Sequence, residues 1–241
     1  MPTAMTHIHS DHEEMSQAAA GATRKAVERV LRRQDTFSLV LAGGSTPKRL
    51  YELLAVEDTP PIPWDQVHLF WGDERLVPPS DPTSNEGMAR ETLIDAVDIP
   101  ASNIHPILTA FDHPETAAKA YEKVLVDFFA GPPAFDLVLL GLGEDGHTAS
   151  LFPEDRPHEA ADPGWVVGLQ APPRHSPRGR VSLTLPAINR ARQVYFLVSG
   201  EGKHESLVAV RDQQDPALPA THVAPEEELH WFVDRAAQGG T

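Results

Sequence analysis

The chain has no cysteine in its 241 residues. That removes disulfides, thiolate nucleophiles and cysteine-ligated zinc from consideration. Long apolar runs are missing too. No window approaches the ~18 apolar residues of a membrane span, and the first residues hold no apolar stretch of signal-peptide length. A cytoplasmic protein with no membrane association is therefore expected. Positive charge is scarce: Lys plus Arg total 20 against 35 Asp plus Glu, giving a net charge of -15. No basic face stands out, which argues against a nucleic-acid partner. An acidic protein that binds an anion must gather its few cations locally.

What is present has the proportions of a folded globular chain, with 41% hydrophobic and 23% charged residues. The length suits one large α/β domain with a sizeable core. Residues 11–237 are expected to form it, between a mobile N-terminus (1–10) and a tail (238–241). A monomer is expected, with a dimer as the alternative. His7, His9 and His12 with Asp11, Glu13 and Glu14 resemble a metal-binding cluster. A solvated terminus is the plainer reading, because metal ligands need fixed geometry, and no metal site is assigned.

The most informative stretch is F-D-L-V-L-L-G-L-G-E-D-G-H-T-A-S-L-F-P, from Phe135 to Pro153. An apolar run without alternation, ended by glycines, reads as a central parallel strand opening into a loop at its carboxyl end. That loop carries an acid, Asp145, and an imidazole, His147, with Gly146 between them for a sharp turn. Other segments follow the same pattern. Phe37 to Ala42 runs into Gly43-Gly44-Ser45-Thr46-Pro47, where Thr46 suits an N-cap and Pro47 the first helical position. Backbone N–H groups there, with the Ser45 and Thr46 hydroxyls, would make an anion pocket at the positive end of a helix. Val67 to Trp71 ends in Gly72-Asp73-Glu74-Arg75, and Gln193 to Val198 ends in Ser199-Gly200-Glu201-Gly202-Lys203. Lys203 at a helix start is locally unfavourable, and a bound anion would offset that cost.

Further elements are expected as a helix from Asp11, a helix over Pro114 to Phe129, and strands near Asn103 to Ile107, Trp165 to Leu169, Arg180 to Leu185 and Leu229 to Val233. Ala171 to Gly179 reads as a flexible loop bearing Arg174, His175 and Arg178, which would serve as a lid or as an ordinary connection. The alternation of strands and helices implies a Rossmann-like α/β fold, a doubly wound, mostly parallel sheet with helices on both faces. The four polar strand ends would then share one edge. Anion-binding loops, cations and one imidazole together fit acid–base chemistry on a phosphorylated small molecule.

The strings L-A-G-G-S-T-P from Leu41, W-G-D-E-R-L-V-P-P from Trp71, S-N-E-G-M-A-R from Ser84, G-L-G-E-D-G-H-T-A-S-L-F-P from Gly141 and G-E-G-K from Gly200 resemble the motifs of the 6-phosphogluconolactonase family. They occur in the family's order, and the similarity runs from about residue 37 to residue 235. The resemblance implies a fold shared with glucosamine-6-phosphate deaminase and ribose-5-phosphate isomerase. It also implies hydrolysis of 6-phospho-D-glucono-1,5-lactone to 6-phosphogluconate, the second step of the oxidative pentose phosphate pathway, with no metal or organic cofactor. A first strand is implied around Met5 to His9, where the sequence defines it poorly.

On that reading His147 is the general base, Asp145 orients or tunes it, and Arg75 stabilises the carbonyl oxygen or holds the substrate, with Asp73 positioning it. Gly43, Gly44, Ser45, Thr46, Lys203 and Arg180 would hold the phosphate. Two rivals remain. A deaminase or isomerase of the same fold would carry a carboxylate five positions after the histidine, where this chain has Phe152. A non-catalytic sugar-phosphate sensor explains the phosphate loops but needs no His147. It also predicts an attached DNA-binding segment.

Overall fold

A computed structural model describes residues 2–56, 59–156, 159, 161 and 164–240. Residues 1 and 241, the outermost positions of the expected mobile terminus and tail, lie outside the described residues. The strands are β1 (Thr3–His9), β2 (Phe37–Leu41), β3 (Val67–Trp71), β4 (Asp73–Arg75), β5 (Ile104–His105), β6 (Leu137–Gly141), β7 (Val166–Gln170), β8 (Gly179–Leu183), β9 (Gln193–Val198) and β10 (Glu228–Asp234). The helices are α1 (His12–Leu31), α2 (Thr46–Ala55), α3 (Asn85–Thr92), α4 (Pro114–Phe129), α5 (Leu185–Asn189), α6 (His204–Leu207) and α7 (Arg235–Gln238).

Seven strands form a wholly parallel sheet in the order β1-β10-β9-β6-β2-β3-β5. The apolar run from Leu137 is its middle strand, as its unalternating sequence implied. Chain order reverses direction between β6 and β2, so the crevice at their carboxyl ends is the topological switch point. Helices cover both faces. Arg29 of α1 reaches Glu228, which lies in register with Gln193, Leu137 and Leu39, whereas Phe128 of α4 packs on Phe70, in register with Val40. Leu39 and Val40 are consecutive residues of one strand and point to opposite faces.

Three features depart from the sequence reading. Residues 3–9, expected to be mobile, form the edge strand β1, paired along its whole length with β10. An edge strand with one half-exposed face needs little apolar alternation, and the non-local pairing supplies its order. The histidines and acids there do not converge. His7 meets His230 at 3.0 Å, His12 reaches the Thr46 carbonyl at 3.0 Å, Glu13 binds Arg49 and Glu14 binds Ser10. Second, Asp73–Arg75 is not a plain loop but the short strand β4, which joins β8 and β7 in a separate antiparallel sheet. At the other terminus Gln238 belongs to α7 rather than to a tail, and its amide oxygen accepts from Arg211 at 2.9 Å.

Buried tyrosines fix the ends of two site strands. Tyr51 of α2 accepts from Ala42 N and donates to Ala42 O, both at 2.8 Å. Tyr121 of α4 accepts from Trp71 N at 2.9 Å and donates to Trp71 O at 3.1 Å. Each phenol thus satisfies the last backbone groups of a strand just before its glycine turn, where the parallel ladder ends. Burial pushes both hydroxyls above the usual tyrosine range, so they act only as neutral hydrogen-bond groups. Tyr51→Phe is expected to lower the unfolding free energy by about 2–3 kcal/mol, since it strands a buried N–H and C=O. Urea denaturation checks this, and an unchanged midpoint would contradict it.

At the β3–β5 edge, His68 Nδ1 and His105 Nε2 lie 3.1 Å apart in stacked rings against Phe128. One nitrogen must donate and the other accept, so the doubly protonated pair is excluded. Burial, with the His68 charge adding, lowers the His105 pKa to about 4. The unfolded chain takes up a proton near pH 6.5 that the folded chain refuses, so this stability is complete above pH 6.5 and lost as pH falls toward 4. Between pH 7 and 4 the wild type should lose about 2 kcal/mol more than His105→Phe in urea denaturation. Parallel losses in the two proteins would contradict the assignment.

Candidate active site

The carboxyl ends of β2, β3, β6 and β9 open into one pocket of about 210 Å³. Gly43, Gly44, Ser45, Thr46, Asp73, Arg75, His147 and Lys203 all line it. Asp145 stands behind His147 and does not line the pocket. Arg180 is also outside the lining, on β8 opposite Arg75. Burial comes first in lowering the Arg180 pKa to about 10, and the neighbouring Arg75 adds to it.

At the α2 end, Ser45 is the N-cap, Thr46 the first helical residue and Pro47 the second, so the cap falls one position earlier than the Thr46 that the sequence suggested. The Ser45 side chain makes no cap bond, and no intramolecular hydrogen bond involves either hydroxyl among the described residues. Both hydroxyls and the positive end of a ten-residue helix therefore face the pocket uncommitted. Lys203 enters from the β9 end, and among the described residues its ammonium has no carboxylate partner. The pocket thus has a cationic, donor-rich end.

Asp73 is a buried cross-tie. One oxygen accepts from Ser150 Oγ at 2.6 Å, the other from Asn85 Nδ2 at 3.1 Å. Glu74, almost fully buried, accepts from the backbone N–H groups of Arg75, Asn85 and Glu86, so it caps α3 from outside the helix. Burial pushes the Glu74 carboxyl up, and those three donors pull against it. Arg75 donates to the Thr83 carbonyl through Nη1, and its buried Nε has no partner among the described residues. Sequence reasoning missed Asn85 and Ser150, although both sit inside the quoted motifs; neither residue type by itself signals a cross-tie.

The β6 loop holds the imidazole. His147 Nδ1 lies 2.5 Å from Asp145 Oδ1, and Asp145 Oδ1 also accepts from His147 N at 3.2 Å. The carboxylate fixes the tautomer with hydrogen on Nδ1, which leaves the Nε2 lone pair as the basic site. Burial alone would raise the Asp145 pKa, but bonds from His147 and Arg174 outweigh it and hold the carboxyl well below the usual range. Gly146 turns the loop at φ +80°. Gly143 matters differently: a Cβ there would lie 2.1 Å from His147 Nδ1 and 2.6 Å from Asp145 Oδ1. Phe152 is buried with its ring 4.9 Å from that of His147, so an apolar ring fills the place five residues on.

Asp145, His147 and His175 place three metal-type donor atoms within 4.8 Å of one another. The carboxylate oxygens have partners: Asp145 Oδ1 is committed to His147, and Oδ2 to Arg174 at 2.5 Å. Both Asp145 oxygens are thus engaged within the chain, whereas the buried His175 Nε2 makes no hydrogen bond among the described residues and lies 3.5 Å from Asp145 Oδ2. Arg174 and His175 come from the 171–178 loop, expected only as a lid or a connection.

A sequence model described as glucosamine-6-phosphate isomerases/6-phosphogluconolactonase matches residues 10–231. A 6-phosphogluconolactonase of Nostoc sp. is 42% identical over 217 residues, covering 88% of this chain and 87% of the relative. One from Synechocystis sp. is 46% identical over 206 residues, covering 83% of this chain and 82% of the relative. The solved 6-phosphogluconolactonase of Trypanosoma brucei superposes with a TM-score of 0.86 at 30% identity, covering 99% of this chain and 98% of that one.

Gly143→Ala is expected to part Asp145 from His147 while leaving the sheet intact. The low-field proton resonance of the hydrogen-bonded imidazole N–H should be present in the wild type and absent in the variant. Its persistence at the same shift would contradict the packing described.

Proposed function

Because the chain belongs to the glucosamine-6-phosphate isomerase/6-phosphogluconolactonase family, we propose that it hydrolyses 6-phospho-D-glucono-1,5-lactone to 6-phospho-D-gluconate, with His147 as general base. The observation that carries this reading is one pocket with an imidazole Nε2 at one side and uncommitted phosphate-type donors at the other.

Ser45, Thr46, the first N–H groups of α2 and Lys203 bind the phosphate, with Arg180 adding positive potential from behind Arg75. This anchors C1 of the lactone beside His147. Nε2 takes a proton from water, and the water oxygen bonds to C1. The C1–O π pair moves onto the carbonyl oxygen, where the Arg75 guanidinium stabilises the negative charge. Collapse restores the carbonyl and breaks the bond from C1 to the ring oxygen. The imidazolium then returns its proton to that leaving oxygen, opening the ring. The new carboxylic acid loses its proton to solvent. Asp145 keeps Nδ1–H in place and stabilises the transient imidazolium.

A deaminase reading lacks the carboxylate that would sit where Phe152 packs.

The test is hydrolysis of freshly generated lactone, followed by NADP reduction with 6-phosphogluconate dehydrogenase after subtraction of the spontaneous rate. His147→Ala should reduce kcat by roughly 10²–10⁴-fold. Lys203→Ala should mainly raise KM, by about 10–100-fold, as expected for loss of a charge-assisted hydrogen bond. A folded wild type that does not exceed the spontaneous rate would overturn the proposal. A fully active His147→Ala would move the base elsewhere.

A further inference from the structure

The loop between β7 and β8 is closed at its base. Ala171 N donates to the Arg178 carbonyl at 2.7 Å, Arg178 Nε donates to the Ala171 carbonyl at 2.9 Å, and His175 N donates to the Pro172 carbonyl at 2.8 Å. Ala171 is fully buried, so the turn stands on the core rather than hanging from two strand ends. Its tip carries Arg174 and His175 across to the β6 loop.

There the Asp145 carboxylate is divided. Oδ1 faces His147 Nδ1 at 2.5 Å, whereas Oδ2 accepts from Arg174 Nη2 at 2.5 Å and lies 3.5 Å from His175 Nε2. The other Arg174 nitrogen, Nη1, donates to Glu154. The His175 ring stands edge-on to His147 with centroids 5.3 Å apart and rests on Phe152 at 4.8 Å. One oxygen therefore serves the imidazole and the other serves the hairpin tip.

A carboxylate bonded to an imidazole favours the imidazolium, which is useless as a base. A guanidinium on the far oxygen draws negative charge away and weakens that preference. We infer that Arg174 is a positioning residue that sets the protonation balance of His147 by sharing Asp145 from the opposite side. The inference rests on the lactonase reading for its catalytic meaning. The charged and titratable groups facing His147 are Asp145 from its own loop, Arg174 and His175 from the hairpin, and Asp73, Arg75 and Lys203 around the pocket. Glu154 binds Arg174 from the far side, and its charge also repels that of Asp145. Asp73 is already held by Ser150 and Asn85, so replacing Arg174 leaves that charge where it is. The Arg174 side chain is 46% exposed, and its removal empties no part of the core.

The experiment compares wild type, Arg174→Gln and Arg174→Lys in kcat/KM from pH 5 to 9, with the imidazole titration of His147 followed by NMR in the absence of substrate. Arg174→Gln should move the acidic limb upward by about 0.5–1 pH unit. Well below that limb its activity relative to its own plateau should then fall by roughly 3–10-fold. Arg174→Lys, which keeps the charge, should stay near the wild type. A role confined to holding the loop or the substrate would change the plateau or KM and leave both the limb and the NMR titration in place, and that result would overturn the inference. If the wild type fails to hydrolyse the lactone but the NMR titration still moves in Arg174→Gln, the functional reading falls and the charge sharing stands. An unmoved titration in the folded variant overturns the charge sharing whatever the activity.

Discussion

Ser150 donates to one oxygen of the buried Asp73 carboxylate at 2.6 Å and Asn85 to the other at 3.1 Å, and the pocket depends on those two bonds. Ser150 lies in the β6 loop, Asn85 begins α3, and Asp73 itself opens β4. Asn85 also occupies the space where a side chain at Gly43 would be, with its Oδ1 only 2.0 Å from the Cβ position. Three of the four strand-end loops are therefore in contact through one carboxylate and one amide. Losing either donor would leave a buried charge under-solvated, at a cost of about 2–4 kcal/mol. The fourth loop, with Lys203, is tied elsewhere, because Ser199 Oγ and Gly200 N donate to the buried Asp234 carboxylate at the end of β10. Its cation is left to meet a ligand.

The parallel sheet explains why these loops are together at all. Every strand leaves the sheet at the same edge, so glycine-rich ends far apart in sequence converge without long-range design in the loops themselves. The switch between β6 and β2 opens the crevice, and Tyr51 and Tyr121 close the ends of β2 and β3 along one side of it. The β4–β8–β7 sheet then adds what a parallel sheet cannot supply: an antiparallel turn that brings Arg174 back over the dyad.

Much of this was legible in the sequence, because glycine turns after unalternating apolar runs report the central parallel strands and their ligand edge. The dyad was legible for the same reason, since Asp145-Gly146-His147 occupies such an end. The pattern did not carry β1, whose Thr, His and Met residues become a strand only through pairing with β10 more than 200 positions away. Three-residue β4 is too short for any periodicity to register. Arg174 and His175 sit in a proline-rich segment with no period, and their partner Asp145 is 29 and 30 positions earlier, so only the antiparallel hairpin reveals the contact. Arg180 shows the reverse case: its place in an alternating strand was clear, but its register opposite Arg75 sets it behind the pocket wall.

The proposed polarity of the pocket, phosphate at the α2 end and reacting carbon at His147, is the point on which the proposed mechanism turns. A crystal structure with the reaction product 6-phosphogluconate bound addresses it directly. The phosphate should lie on residues 43–46 and Lys203, with the C1 carboxylate next to His147 Nε2 and Arg75. A phosphate on Arg75 with C1 remote from His147 would contradict both the general-base assignment and the role given to the glycine loop.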